Sequence, residues 1–382
     1  MIRQTIRGPS LTQTSNTPIF HLASLSFLKS VVIFGGTGFI GTHLTAFLLE
    51  HFPGIEIICA DLRPFDESRF LPPLIEKSLK TGQVQYIPAD VRESLLFCGL
   101  PEHVDLIVNL AAICREPGHE HHEYFETNLK GAENVCKWAE HVGCQNILFT
   151  SSIAVYGFVE NDTDETALPL PRTPYGSSKL AAEILHRCWQ ERGPGRQLMI
   201  VQPGVVYGAG ENANVTRLIR AVLKRRFVYT GNRNTRKAGG YVKELCRALL
   251  WLFDRQCREK RGFLLANFGQ FPLPTVQEYV GAILRTAHRS GQWTPSLPFS
   301  LVRALSVPVA KLSRLAGYKS PIDPLRVDKV ARSTPVVPGE LLRLGYPFRY
   351  SLEEAFHDWL GECPSDWNQK KIRMIEGERP LR

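Results

Sequence analysis

The sequence has no run of about 18 apolar residues, which excludes a helix crossing a bilayer in the usual way. It has no acidic residue before Glu50, and its first 29 residues carry only Arg3, Arg7 and Lys29 as fixed charges. That segment has no apolar stretch followed by a small-residue cleavage site, so a secretory signal is not supported. It reads as a poorly ordered extension over 1–29, or as the result of an early start codon, ahead of a transit-like leader. The nine cysteines (Cys59, Cys98, Cys114, Cys136, Cys144, Cys188, Cys246, Cys257 and Cys363) form no CxxC pair. An odd, scattered set fits a reducing cytosol better than a disulfide framework, and it argues against zinc. The histidine-dense patch His119, His121 and His122 has no cysteine or carboxylate pair behind it, so no metal is expected. Internal repeats and low-complexity tracts are also missing.

What is present is a globular composition. The 382 residues are 43% hydrophobic and 22% charged, with a net charge of +9, which rules out wholesale disorder. The length suits one large core with a smaller lobe. From Ser30, apolar strands alternate with helical periodicity. Strands are predicted at 31–34, 55–60, 84–88, 106–110, 146–150, 198–202 and 263–268. Helices are predicted at 39–52, 123–141, 175–192 and 275–286. Repeated strand–helix units with apolar strands predict the α/β class, a Rossmann-like, doubly wound parallel sheet. After Pro203 the chain turns basic and proline-interrupted. The predicted organisation is a sheet domain over 30–203, a smaller C-terminal substrate-binding lobe over 204–360 partly interwoven with it, and a peripheral tail over 361–382.

Phe34-Gly35-Gly36-Thr37-Gly38-Phe39-Ile40-Gly41 lies between the first strand and the first helix. Gly36, Gly38 and Gly41 satisfy GxGxxG; Gly35, Gly38 and Gly41 satisfy the looser GxxGxxG. Glycine is needed where the turn is tight, where backbone must approach a pyrophosphate, and where helix lies against strand. Twenty residues after Gly41, Asp61 closes the second strand. A carboxylate there accepts from both adenosine ribose hydroxyls and repels a 2′-phosphate, which favours NAD. Arg63 is the neighbouring feature that favours NADP. Asp90 and Val91 follow the third strand, where an adenine would be contacted, although Asp90 reads equally well as a turn residue.

Thr150-Ser151-Ser152-Ile153-Ala154-Val155-Tyr156-Gly157 ends the fifth strand, and Tyr175-Gly176-Ser177-Ser178-Lys179 opens a helix. Residues four apart share a helix face, so the Lys179 ammonium is predicted beside the Tyr175 phenol. A tyrosine base working near neutral pH needs its pKa brought from about 10 to about 7, about 4 kcal/mol. Lysine and an oxidised nicotinamide, both cationic, would supply this in a semi-buried site, with Ser152 holding the same substrate oxygen.

The glycine turn, Asp61, Asn109-Leu110-Ala111-Ala112, Asn128, Ser151–Gly157, Tyr175–Lys179 and Gln202-Pro203-Gly204-Val205-Val206-Tyr207-Gly208 together resemble the extended short-chain dehydrogenase/reductase family. The resemblance is to its nucleotide-sugar epimerase and dehydratase branch and covers about residues 30–360. It implies Ser152, Tyr175 and Lys179 as catalytic residues. It implies NAD held by Gly35, Gly36, Thr37, Gly38, Phe39, Ile40, Gly41, Asp61, Asp90, Val91, Ala111, Tyr175, Lys179 and Pro203. It implies substrate contacts from Asn128, Ser152, Asn214 and Lys237.

Members that eliminate water across the sugar carry an acidic pair after the strand-end Ser/Thr. Here those positions are Ile153 and Ala154. Dehydration is therefore disfavoured, and 4-epimerisation through a transient 4-keto sugar is the expected reaction. The alternatives are a 4-keto sugar reductase, a hydroxysteroid-type dehydrogenase suggested by the apolar C-terminal lobe, and a non-catalytic NAD-binding protein.

Between Asn212 and Arg247 stand ten basic residues and one acid, Glu244, a local charge equal to that of the whole chain. Such a field attracts phosphates and anionic surfaces. It supports a diphosphate-linked sugar, and the missing aromatic platform argues against nucleic acid. Lys237-Ala238-Gly239-Gly240-Tyr241-Val242 departs from the aromatic-aspartate run of simple UDP-galactose epimerases. With Leu297-Pro298-Phe299 and Arg326-Val327-Asp328-Lys329-Val330, it resembles epimerases of bacterial surface-polysaccharide clusters. Some of those act on N-acetylglucosamine linked to undecaprenyl diphosphate. The segment from Leu297 to Tyr318, apolar with Arg303, Lys311 and Arg314 interspersed, is expected to pack in the substrate lobe; contact with an anionic membrane is the second reading. The expected location is cytoplasmic, including the inner face of the membrane, and a homodimer is left open.

Overall fold

A computed structural model of the chain describes residues 22–116, 118–315 and 332–367. Within the first half lie β1 (Ser30–Phe34), α1 (Phe39–His51), β2 (Glu56–Asp61), α2 (Pro73–Thr81), β3 (Val84–Pro88), β4 (Leu106–Asn109), α3 (His121–His141), β5 (Asn146–Thr150), α4 (Pro174–Glu191) and β6 (Gln197–Pro203). The second half holds β7 (Val205–Tyr207), α5 (Asn214–Leu223), β8 (Tyr229–Thr230), β9 (Gly239–Tyr241), α6 (Val242–Glu259), β10 (Phe263–Phe268), α7 (Val276–Thr286), β11 (Ser296–Leu297) and α8 (Phe299–Leu315). Two short helices, α9 (Gly339–Arg343) and α10 (Leu352–Glu362), end the described chain together with a single turn at Pro364–Trp367.

Seven parallel strands form the central sheet in the order β10-β6-β5-β4-β1-β2-β3. Order reverses between β1 and β4, the switch point where such sheets open a crevice at their carboxyl ends. Each central strand is apolar on both faces. Val31 and Ile33 of β1 pack into one core with α1 and α6, while Val32 and Phe34 pack into the other with α3 and α4. Leu148 of β5 likewise joins the first core, and Ile147 and Phe149 the second. Side chains alternate across a strand, so helices covering both faces produce the continuous apolar runs seen in the sequence. The fold is the Rossmann-like α/β architecture anticipated above.

The second lobe is assembled from non-contiguous pieces. β7 pairs with β9, and β8 with β11. Tyr207, Tyr241, Tyr279, Phe356, Trp359 and Trp367 build its aromatic core. The segment 334–337 runs between the lobes, bridging Lys237 to Thr334 and Thr163 to Val336.

Several features differ from the sequence reading. Within the predicted extension, Leu25 and Leu28 are buried in the core against α6, and Ser24 donates its amide to Asp254. Past residue 361, Asp366 and Trp367 are both buried rather than peripheral. The 18-residue helix α6 was missed because its apolar positions are interleaved with the basic stretch, whose charge dominates the local pattern. Residues 1–21, 368–382, Arg326–Val330 and Tyr318 lie outside the described residues. Among the described residues, no helix is long and apolar enough to cross a membrane, and no group of three metal-ligating side chains is present.

Candidate active site

The glycine turn leaves the carboxyl end of β1 and enters α1. Gly35 has φ +78°, and a Cβ there would lie 2.9 Å from the Ala111 amide. A Cβ on Gly36 would lie 2.7 Å from that of Cys59, and one on Gly41 only 2.4 Å from the Gly35 carbonyl. The strand, turn and helix are thus in backbone contact, leaving the first amides of α1 facing outward as an anion cradle. Thr37 donates its amide to Asp61 Oδ2 at 3.2 Å and its hydroxyl to the Arg63 carbonyl at 2.8 Å. Asp61, partly exposed at the end of β2, also accepts from the Leu62 amide at 2.7 Å. A shape that only glycines permit, closed by a strand-end carboxylate, fits a dinucleotide such as NAD. Phe39 and Ile40 pack against the second lobe, and His43 binds the Ala209 carbonyl at 2.9 Å, so that lobe roofs the turn.

Other predicted cofactor contacts are placed less directly. Asp90 is held by Arg92 through a 2.6 Å ion pair and through the Arg92 amide, the turn-residue reading. Val91 is buried, and its carbonyl accepts from Asn134. Pro203 ends β6 opposite Phe268.

Ser152 follows β5 and accepts the Ala154 amide at 3.2 Å, starting a short helical turn. Thr173 caps α4 by accepting the Gly176 amide at 3.1 Å. A Cβ on Gly176 would lie 2.5 Å from the Ala154 carbonyl, so the first turn of α4 lies flush against the Ser152 turn. This contact sets the Ser152 side chain beside the Tyr175 phenol, whose pKa it lowers. Tyr175 also sits in the first turn of α4, where unpaired amides favour negative charge.

Lys179, one helical turn on, is 2% exposed. Its Nζ donates to the Thr150 carbonyl at 2.6 Å and lies 4.3 Å from the centre of the Phe149 ring. Burial lowers its pKa to about 8, opposed by the charge of Glu183. For Tyr175, burial raises the pKa, Cys114 and Glu116 add to the rise, and the Ser152 hydrogen bond works against it. Lys179 is thus anchored to the end of β5, one helical turn from Tyr175.

The substrate candidates separate. Asn128 is buried, with its amide hydrogens given to Ser178 at 2.9 Å and the Ile113 carbonyl at 3.1 Å. Its oxygen takes the Ile113 amide at 2.8 Å. It fastens the strand-end loop to α4, and its donors are spent. Asn214 opens α5 and is exposed, accepting from Arg217 at 3.0 Å. Lys237 precedes β9, donates to the Arg332 carbonyl, and has its pKa lowered by burial to about 8. Three of the ten basic residues of the stretch are paired with distant acids. Arg236 pairs with Asp162 at 2.6 Å, Lys243 with Asp358 at 2.6 Å and Glu362 at 2.7 Å, and Arg220 with Asp366 at 3.7 Å. Sequence reasoning missed Cys114 and Glu183. The signal for Glu183 was available: it extends the Tyr175–Lys179 stripe by one more turn.

Several known proteins are similar to the chain. The N-acetyl-α-D-glucosaminyl-diphospho-ditrans,octacis-undecaprenol 4-epimerase of Escherichia coli O157:H7 is 26% identical over 331 residues, 85% of this chain and 92% of that protein. The structure of MoeE5 with UDP-glucose and NAD is 25% identical with a TM-score of 0.64, covering 87% of this chain and 97% of that one. The UDP-glucuronic acid 4-epimerase of Bacillus cereus, solved with UDP-glucuronic acid and NAD, shares the fold at a TM-score of 0.64 and 18% identity, covering 88% of this chain and 99% of that one. The family match itself runs over residues 31–264, from the first strand through the Tyr175 helix to the last, and by it the chain belongs to the NAD dependent epimerase/dehydratase family.

Proposed function

We propose that the chain is an NAD-dependent 4-epimerase of a hexose or N-acetylhexosamine carried on a diphosphate. The observation that carries this reading is the pairing of Ser152 with Tyr175 at the carboxyl edge of the sheet, with Ile153 and Ala154 where a dehydrating enzyme needs acids. Bound NAD would supply acceptance and return of a hydride and, when oxidised, a positive charge near the phenol. Tyr175 then takes the proton of the sugar 4-hydroxyl and gives it back after the 4-keto sugar has turned over. Ser152 holds the reacting oxygen, and Lys179 supplies positive charge from behind. Asn214 and Lys237 hold the diphosphate.

The lipid-carried form of the substrate is favoured by one edge of the second lobe. Trp293 is 80% exposed, Leu301 45% and Leu305 53%. Gln292 bonds the Val222 carbonyl at 2.8 Å, two residues before exposed Lys224, Arg225 and Arg226. An apolar edge next to basic residues suits the face of an anionic bilayer, where a polyprenyl diphosphate resides. The test is incubation of the purified protein with a panel of UDP-sugars and with a polyprenyl-diphosphate sugar, read by chromatography. Epimer formation without net NADH production is expected. Stoichiometric use of NAD(P)H would replace the reading with a keto-sugar reductase.

A further inference from the structure

Below Lys179, α4 carries a second buried charge. Glu183 is 7% exposed and lies one helical turn from Lys179, on the stripe that begins at Tyr175. A buried ammonium and a buried carboxylate are each costly alone, and each lessens the cost of the other. Glu183 Oε1 accepts from Gln202 Nε2 at 2.8 Å. Gln202 Oε1 accepts from the Tyr156 hydroxyl at 2.7 Å, which also reaches Asn267 Oδ1 at 3.2 Å.

These residues form a row. Thr150 of β5 pairs with Val201 of β6, so Ser151 stands level with Gln202, and Gln202 pairs in register with Asn267 of β10. Three adjacent strands thus end in polar side chains one residue deep at the carboxyl edge. The row continues to Glu165, which accepts the Asn267 amide at 2.6 Å and the Glu340 amide at 3.0 Å. We propose that Glu183 is a positioning residue for the reaction: aimed by Gln202, which Tyr156 ties to Asn267, its carboxylate keeps Lys179 cationic where the ammonium sits against the end of β5. This rests on the reading of Tyr175 and Lys179 as the catalytic pair.

The charged and titratable groups facing the pair are few. Cys114 approaches Lys179 from the loop after β4. His186 lies on α4, held neutral by burial, with Phe149 stacked on it. Tyr156 faces Glu183 from the Ser152 turn. Glu183 is the carboxylate that raises the pKa of Lys179, which burial lowers to about 8. Removing that charge lets the ammonium lose its proton at lower pH.

The test compares kcat–pH profiles of the NAD-loaded enzymes. Glu183→Gln is expected to bind NAD as the parent does, to lose about fivefold in kcat at pH 8, and to move the alkaline limb toward acid by about one pH unit. Glu183→Asp, which restores the charge, is expected to return most of that shift. Gln202→Leu, which removes the hydrogen bond aiming the carboxylate, is expected to move the limb the same way by less. An alkaline limb that stays in place in Glu183→Gln, or in Gln202→Leu should the first variant not fold, overturns the role of Glu183. Failure of the underlying reading looks different, since Tyr175→Phe would then turn over at the parental rate.

Discussion

In the sheet domain, the glycine turn, Asp61, Ser152 and Tyr175 meet because parallel strands stop in register and each hands the chain to a helix or turn at the same edge. In the second lobe, the residues around the basic stretch are held by segments far along the chain. Arg220 meets Asp366, Lys243 meets Asp358 and Glu362, and the Lys237 ammonium meets the Arg332 carbonyl. The first arrangement is written in short-range periodicity; the second depends on which distant acids and carbonyls arrive. Charge read over a sequence window therefore describes the sheet domain's ligands better than it describes the lobe's surface.

Two large effects would test this contrast from opposite sides. Tyr175→Phe removes the only proposed proton carrier and is expected to lower kcat about 10³-fold with NAD binding intact, measured by steady-state turnover and NAD titration. Trp367→Ala removes a fully buried ring contributed by the end of the described chain, and is expected to cost about 3–5 kcal/mol in denaturant unfolding. A cost below about 1 kcal/mol would return that segment to the peripheral tail the sequence suggested.

The acid side of stability sharpens the comparison, because the sheet domain buries one histidine against the lobe and one in its own interior. His43, against Ala209 of the lobe, and His186, inside the sheet domain, both have pKa values lowered by burial from 6.5 to about 4. The unfolded chain binds these protons first as pH falls. Stability is thus full above about pH 6.5 and declines down to about pH 4, by about 1.4 kcal/mol per pH unit for each histidine. Replacing either histidine by leucine should halve the slope attributable to the pair, as read from unfolding midpoints across that window. The smallest effect concerns the cofactor edge: Asp61→Ala is expected to reduce the preference for NAD over NADP about tenfold in kcat/KM. An unchanged ratio would remove Asp61 from that role.

Most of the sheet was legible beforehand. β3, β5 and β10 fall at their predicted limits, and α1 and α4 within a residue of theirs, since buried strands and capped helices leave strong local signals. Helix α6 was hidden because lysine and arginine punctuate its apolar face. At the site, residue types and order were legible, while hydrogen-bond allegiance was not. Asn128 had the right residue type for a ligand contact, yet Ser178 and Ile113 consume its donors. Lys179 had the right spacing, but its hydrogen bond to the Thr150 carbonyl was not legible.

The sequence by itself determined the α/β order, the glycine turn with its carboxylate, and the helix face shared by Tyr175, Lys179 and Glu183. All of these follow from backbone geometry over a few residues. Only the tertiary structure decided that Leu25 and Trp367 belong to the core and that Lys179 leans on β5. It also decided that Arg220 and Lys243 of the basic stretch pair with acids more than a hundred residues away. Hydrogen bonds and ion pairs are settled by distance in space, and that distance is set only when the strands are in register and the lobes have closed.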